Sequence, residues 1–73
     1  MIENKDVARE ISKLMLDFGA KLDASVMLVQ QQCGPEEFQR YKKVVAIIMG
    51  EMLLEVMNPL YAKHPDLKPK ELA

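Results

Sequence analysis

The stretch Tyr41 to Met57, YKKVVAIIMGEMLLEVM, constrains the fold more than any other part of the chain. Between Val44 and Met57 only Gly50, Glu51 and Glu55 are not apolar. At about 100° per residue, Tyr41, Val45, Ile48, Met49, Met52, Leu53 and Val56 share one broad helical face. Val44, Ile47 and Leu54 fall outside it, toward the back. Glu51 and Glu55 mark the polar strip that is left, with Arg40 and Asn58 extending it. A surface helix normally carries an apolar stripe a little over about 100° wide. This helix is apolar nearly all round, so a single neighbouring helix cannot cover it. The run is shorter than the roughly 20 apolar residues of a membrane span and contains carboxylates, which argues against a span. It is longer than a buried strand of about 4–8 residues and holds no turn signal. The Met, Leu and Glu residues that follow VVAII also favour helix.

Length limits how such a helix can be stabilised. The chain has 73 residues, enough for one small domain. Folding a chain this short removes only about 60% of its unfolded surface from water, and domains of this size commonly rely on a disulfide, a metal or a partner chain. Cys33 is the only cysteine, so no intrachain disulfide can form, and no Cys/His cluster offers a zinc site. A partner chain remains, and an apolar content of 49% supplies the surface for it. The net charge of −1, with acids and bases intermixed, disfavours a nucleic-acid binder, which concentrates its basic residues. No basic segment leads into an apolar one at the N-terminus, as a secretory signal requires. A lone thiol suits a reducing compartment, and the expected location is cytoplasmic.

The remaining pattern is helical too. Asn4 is placed to cap a long first helix over about residues 5–31, with Asp6 in its first turn. Val7, Ile11, Leu14, Met15, Phe18, Leu22, Val26 and Val29 line one side, which is the expected core face. Leu16, Ala20, Ala24 and Met27 form a thinner apolar strip on the far side, a candidate surface for another protein. Gly19 stands mid-helix, where it costs about 1 kcal/mol relative to Ala, and a close helix crossing is the preferred explanation. Ala46 and Gly50 repeat the spacing of small residues in the second helix. Cys33-Gly34-Pro35 ends the first helix and starts the second, expected over about 35–58, since Pro suits the first helical position. So short a connection lays the helices side by side and antiparallel. Asn58-Pro59 breaks or kinks the second helix. A short helical turn follows over about 59–64, from which Leu60 and Tyr61 can fold back. The tail, 65–73, holds Leu67 and Leu72, is interrupted at Pro69, and is expected to be partly ordered and dispensable for folding.

Little in the chain carries chemistry. His64, the only histidine, has no nucleophile or acid beside it and reads as a solvated residue at a helix end. Glu51 and Glu55 resemble the inward carboxylates of di-iron bundles, but those sites also need Glu-x-x-His, which is missing; a solvent strip is the plainer reading. Carboxylates one turn apart repel, so a base from another chain would suit them. Cys33 precedes a helix N-terminus, a position that can lower a thiol pKa, but it has no resolving cysteine. The methionines suit core filling or an adaptable surface.

The expected fold is therefore all-α: an antiparallel helical hairpin with a short C-terminal helical turn, dimerising into a four-helix bundle. Val44, Val45, Ile47, Ile48, Met49, Met52 and Leu54 are the expected dimer interface. The expected function is a non-enzymatic interaction or regulatory protein, a homodimer that binds another protein, with an inhibitor or immunity-type protein as one version. The alternative is an RNA- or DNA-binding hairpin dimer, which requires Arg9, Lys13, Arg40, Lys42 and Lys43 to converge. A small enzyme or metal protein ranks last. No catalytic residue, cofactor, metal or membrane is expected.

Overall fold

A computed structural model describes residues 1–70, and these are helical almost throughout. Helix α1 spans Lys5–Gln32. Asn4 caps it, its Oδ1 accepting from the backbone N–H groups of Asp6 and Val7 at 2.9 and 3.2 Å. These are donors that no helical carbonyl can reach. Cys33 and Gly34 make the connection. Gly34 stands in extended conformation before Pro35, the first residue of α2, Pro35–Glu51. Glu36 and Glu37 occupy the first turn of α2, where the helix dipole favours acids.

Asn58-Pro59 does not end the second helix. The chain stays helical from Pro35 to Lys63, through a π-helical segment, Met52–Met57, into α3, Asn58–Lys63. The N–H of Asn58 bonds to the carbonyl of Leu53, five residues back. Pro59 lacks an N–H, and its ring would strike the carbonyl four residues before it. A widened turn moves that carbonyl aside. It also absorbs an extra residue, which rotates everything beyond it by about 100° relative to a regular α-helix. Tyr61, which a straight helix would aim away from α1, is turned onto it beside Met57 and Leu60.

The core lies where they land. Ala8, Met57, Leu60 and Tyr61 form the buried cluster, and Ile2, Ile11, Met15 and Leu67 pack around it. Ser12 is buried there, its hydroxyl 2.6 Å from that of Tyr61. The side of α1 that meets the second helix is centred on Ala8, Ser12, Met15 and Gly19. The expected core face is therefore displaced: Val7, Leu14 and Phe18 are exposed. Small residues mark the closest approach, because α1 can come near Leu60 and Tyr61 only where its own side chains are short.

The segment from His64 onward also packs. Pro65–Leu67 forms a 3₁₀ turn, Leu67 lies against the core, and Lys5 pairs with Asp66. The tail, expected to be partly ordered and dispensable for folding, is packed against the core as far as Leu67. Leu72 lies outside the described residues. His64 is 9% exposed, not solvated as expected. Its Nε2 lies 2.7 Å from the backbone carbonyl of Ile2. A carbonyl only accepts, so this nitrogen carries the proton.

Candidate functional site

Contacts between α1 and the second helix form a series. Ile2 meets His64, Ser12 meets Tyr61, Gly19 faces Met49 and Ser25 meets Tyr41. The Ser25 hydroxyl donates to the Leu22 carbonyl at 2.6 Å. Its single proton is thereby engaged, so Tyr41 donates to Ser25 at 2.7 Å. On the second helix the residues turned inward are Phe38, Tyr41, Val45, Met49, Met52 and Val56, spaced three or four apart.

Two apolar faces are left open on either side of this contact. The larger centres on α2. Val44, Ile47, Ile48 and Leu54 are exposed, Ile47 by 62% and Leu54 by 63%. Arg40, Lys43, Glu51 and Glu55 stand among them, all exposed. A shallow groove lined by Val29, Cys33, Arg40, Tyr41 and Val44 joins this face to α1. By helical spacing Phe18 and Leu14 lie on the same side of α1. The second face is a groove of about 500 Å³ lined by Met15, Leu16, Gly19, Ala20, Met49, Gly50, Met52, Leu53 and Met57, with Asp23 at its edge.

The expected interface residues divide between core and surface. Val44, Ile47, Ile48 and Leu54 lie on the open α2 face. Val45 is only 3% exposed and is engaged within its own chain, so it cannot meet another. Met49 and Met52 are half-buried at the second groove. They point there because about 100° per residue carries them from the Val44–Ile47 side to the opposite edge. Leu16 and Ala20 line that second groove, while Ala24 and Met27 are exposed. Sequence reasoning missed Leu53 as a groove residue, although its place beside Met49 was legible from the same spacing.

Polar groups are arranged less suggestively. Arg9 pairs with Asp6 at 2.9 Å and Lys13 with Glu10 at 3.7 Å, near the Tyr61 end. Arg40, Lys42 and Lys43 stand near the Ser25 end, with Lys42 Nζ 5.7 Å from the Phe38 ring centre. The five bases do not converge within one chain. Cys33 is exposed. Partial loss of hydration, then the hydrogen bond to Glu37 and its negative charge, push the thiol pKa up, opposite to the direction the helix N-terminus suggests. Among the described residues no three of His, Cys, Asp or Glu are grouped as a metal site. The helix Pro35–Lys63 is long and apolar enough to cross a membrane by length and composition. No family model, no curated protein and no solved structure matches the chain.

Proposed function

We propose that the chain is a non-enzymatic interaction protein: an antiparallel helical hairpin, paired with a second copy in a four-helix bundle, that presents its remaining apolar groove to another protein. The series of contacts from Ile2–His64 to Ser25–Tyr41 supports the hairpin, since one helix is read upward as the other is read downward. The observation that carries the dimer is the uncovered α2 face of Val44, Ile47, Ile48 and Leu54. Burying a large apolar side chain fully contributes about 1.5–3 kcal/mol. At their exposure each of the four forgoes roughly half of that, a sizeable fraction of a typical net stability of about 5–15 kcal/mol. The molecule is 44 Å long and 20 Å across, so one broad side matches the roughly 800 Å² per partner of a standard interface.

The second groove suits a protein partner. Met15, Met49, Met52 and Met57 line it, and flexible thioether side chains adapt to varied apolar shapes. A dimer through α2 leaves this groove open.

Sedimentation of the full chain at micromolar concentration tests the reading. The expected species has twice the 8.3 kDa of the monomer, with stability that rises with protein concentration. A well-folded monomer refutes it. Affinity capture from the native host then separates a stoichiometric protein from co-purifying RNA, which would favour the nucleic-acid reading, or from lipid, which would favour a membrane-embedded Pro35–Lys63.

A further inference from the structure

The open α2 face carries a charge order that selects how a second chain can lie on it. Beyond the acidic first turn of α2, Glu36 and Glu37, its exposed residues run from basic Arg40 and Lys43, through apolar Val44 and Ile47, to acidic Glu51 and Glu55. Among the described residues none of Arg40, Lys43, Glu51 and Glu55 is in an ion pair. This sets them apart from α1, where Arg9, Lys13 and Lys21 each pair with an acid on their own helix. Glu51 and Glu55 are one turn apart with no base from their own chain to offset their repulsion.

We infer that the second copy lies antiparallel along α2, with the two-fold axis at Ile47. This placement rests on the dimer proposed above and specifies its geometry. With Ile47 against its own copy, Lys43 of each chain lies opposite Glu51 of the other. Arg40 then lies opposite Leu54 and next to Glu55 of the other chain, and Val44 and Ile47 fill the seam between the charged positions. A parallel two-fold would instead stack Arg40 on Arg40 and Glu55 on Glu55, concentrating like charge at both ends. Complementary charge sets register and orientation between helices more than it sets affinity. Bases on one side of Ile47 and acids on the other, Arg40 and Lys43 against Glu51 and Glu55, are complementary to their copies only when one copy is reversed.

The test uses the full chain with Cys33→Ser to remove the native thiol. With the dimer first established by sedimentation, Lys43→Cys combined with Glu51→Cys is expected to form a disulfide-linked dimer on mild oxidation and Lys43→Cys alone is not, because only a reversed copy sets residue 43 against residue 51 within disulfide reach. Leu53→Cys, in the methionine groove, is expected not to cross-link either. A second arm reverses charge. Arg40→Glu is expected to weaken dimerisation about tenfold at low salt, and Arg40→Glu with Glu55→Arg to restore it. Cross-linking through Lys43→Cys alone or through Leu53→Cys alone, or a double reversal no better than the single one, overturns the antiparallel placement while leaving the dimer standing. A folded monomer in sedimentation overturns the dimer itself.

Discussion

Leu60 and Ile47 are both branched aliphatic residues of one continuous helix, yet Leu60 is fully enclosed and Ile47 is 62% exposed. The difference lies in the neighbours each meets. Around Leu60 the first residues of the chain meet the segment after α3: Ile2, Ala8, Ser12, His64 and Leu67 gather there with apolar contact, one buried hydrogen bond and one partly buried. Ion pairs at the rim, Lys63 to Glu3 at 3.0 Å and Lys5 to Asp66, tie the same two segments together. Around Ile47 the chain offers α1 on one side only. The closed end is therefore complete within one chain, and the open α2 face is complete only with something added. In the proposed dimer these regions obey different rules: stability at the closed end is intramolecular, and stability at the open face is expected to depend on concentration.

The largest expected effect separates the two regions directly. Leu60→Ala is expected to cost about 2–5 kcal/mol, equally at every protein concentration. Ile47→Ala is expected to cost under about 1 kcal/mol in an isolated chain, but more in a dimer, where the loss appears as a weaker self-association. Urea denaturation of both variants at low and high protein concentration checks this. Concentration-dependent loss at Leu60, or none at Ile47, would break the distinction.

Truncation after His64 probes how the closed end is sealed. Loss of Leu67 from the core and of the Asp66 pair is expected to lower the melting temperature by about 8 °C, roughly 1–2 kcal/mol for a domain this small. An unchanged melting curve would show that the terminal turn only decorates the core.

The two mid-helix glycines refine the map of the open surfaces. A Cβ on Gly19 would meet Met49 Cε at 3.7 Å, an ordinary contact, and one on Gly50 would meet nothing within 4 Å. Gly19→Ala and Gly50→Ala are each expected to raise stability by about 0.5–1 kcal/mol through helix propensity alone. If thermal unfolding shows Gly50→Ala destabilised, a second backbone approaches there, and the covered face is the methionine groove and not the Ile47 side.

The smallest effect concerns acid. The hydrogen bond and charge of Lys63 hold the Glu3 carboxyl below its ordinary value of 4.5, and Lys5 holds Asp66 below 3.8. Depressed carboxyl pKa values contribute stability that is present above the ordinary values and is lost as pH falls through the lowered ones. Both pairs are exposed, so water and salt screen them. Glu3→Gln with Asp66→Asn is expected to make the melting temperature slightly less sensitive to pH below about 4.5, measured against wild type at low ionic strength. The Ile47 face contributes nothing to this difference.

Helix, caps and the surplus of apolar surface follow from sequence alone. Asn4, Gly34 and Pro35 act through hydrogen bonds and torsions within a few residues, so their roles are legible locally. The apolar circumference of Val44 to Leu54 is likewise a matter of spacing, and Ile47 and Leu54 stand out on it without a structure. Which part of that circumference stays open is not local. Val45 and Val44 are neighbours of the same type, and only the position of α1 buries one and exposes the other. The same holds at Pro59. Read locally, Asn58-Pro59 ends or kinks a helix. In the folded chain a widened turn relieves the clash, and the rotation it introduces brings Tyr61 onto Ser12, beside Met57, Leu60 and Ala8. The burial gained there, with Ser12 and Ile2 satisfying Tyr61 and His64, outweighs the backbone bonds that the wide turn weakens. That balance sums contacts between residues about fifty positions apart in the chain, so it is decided by tertiary packing.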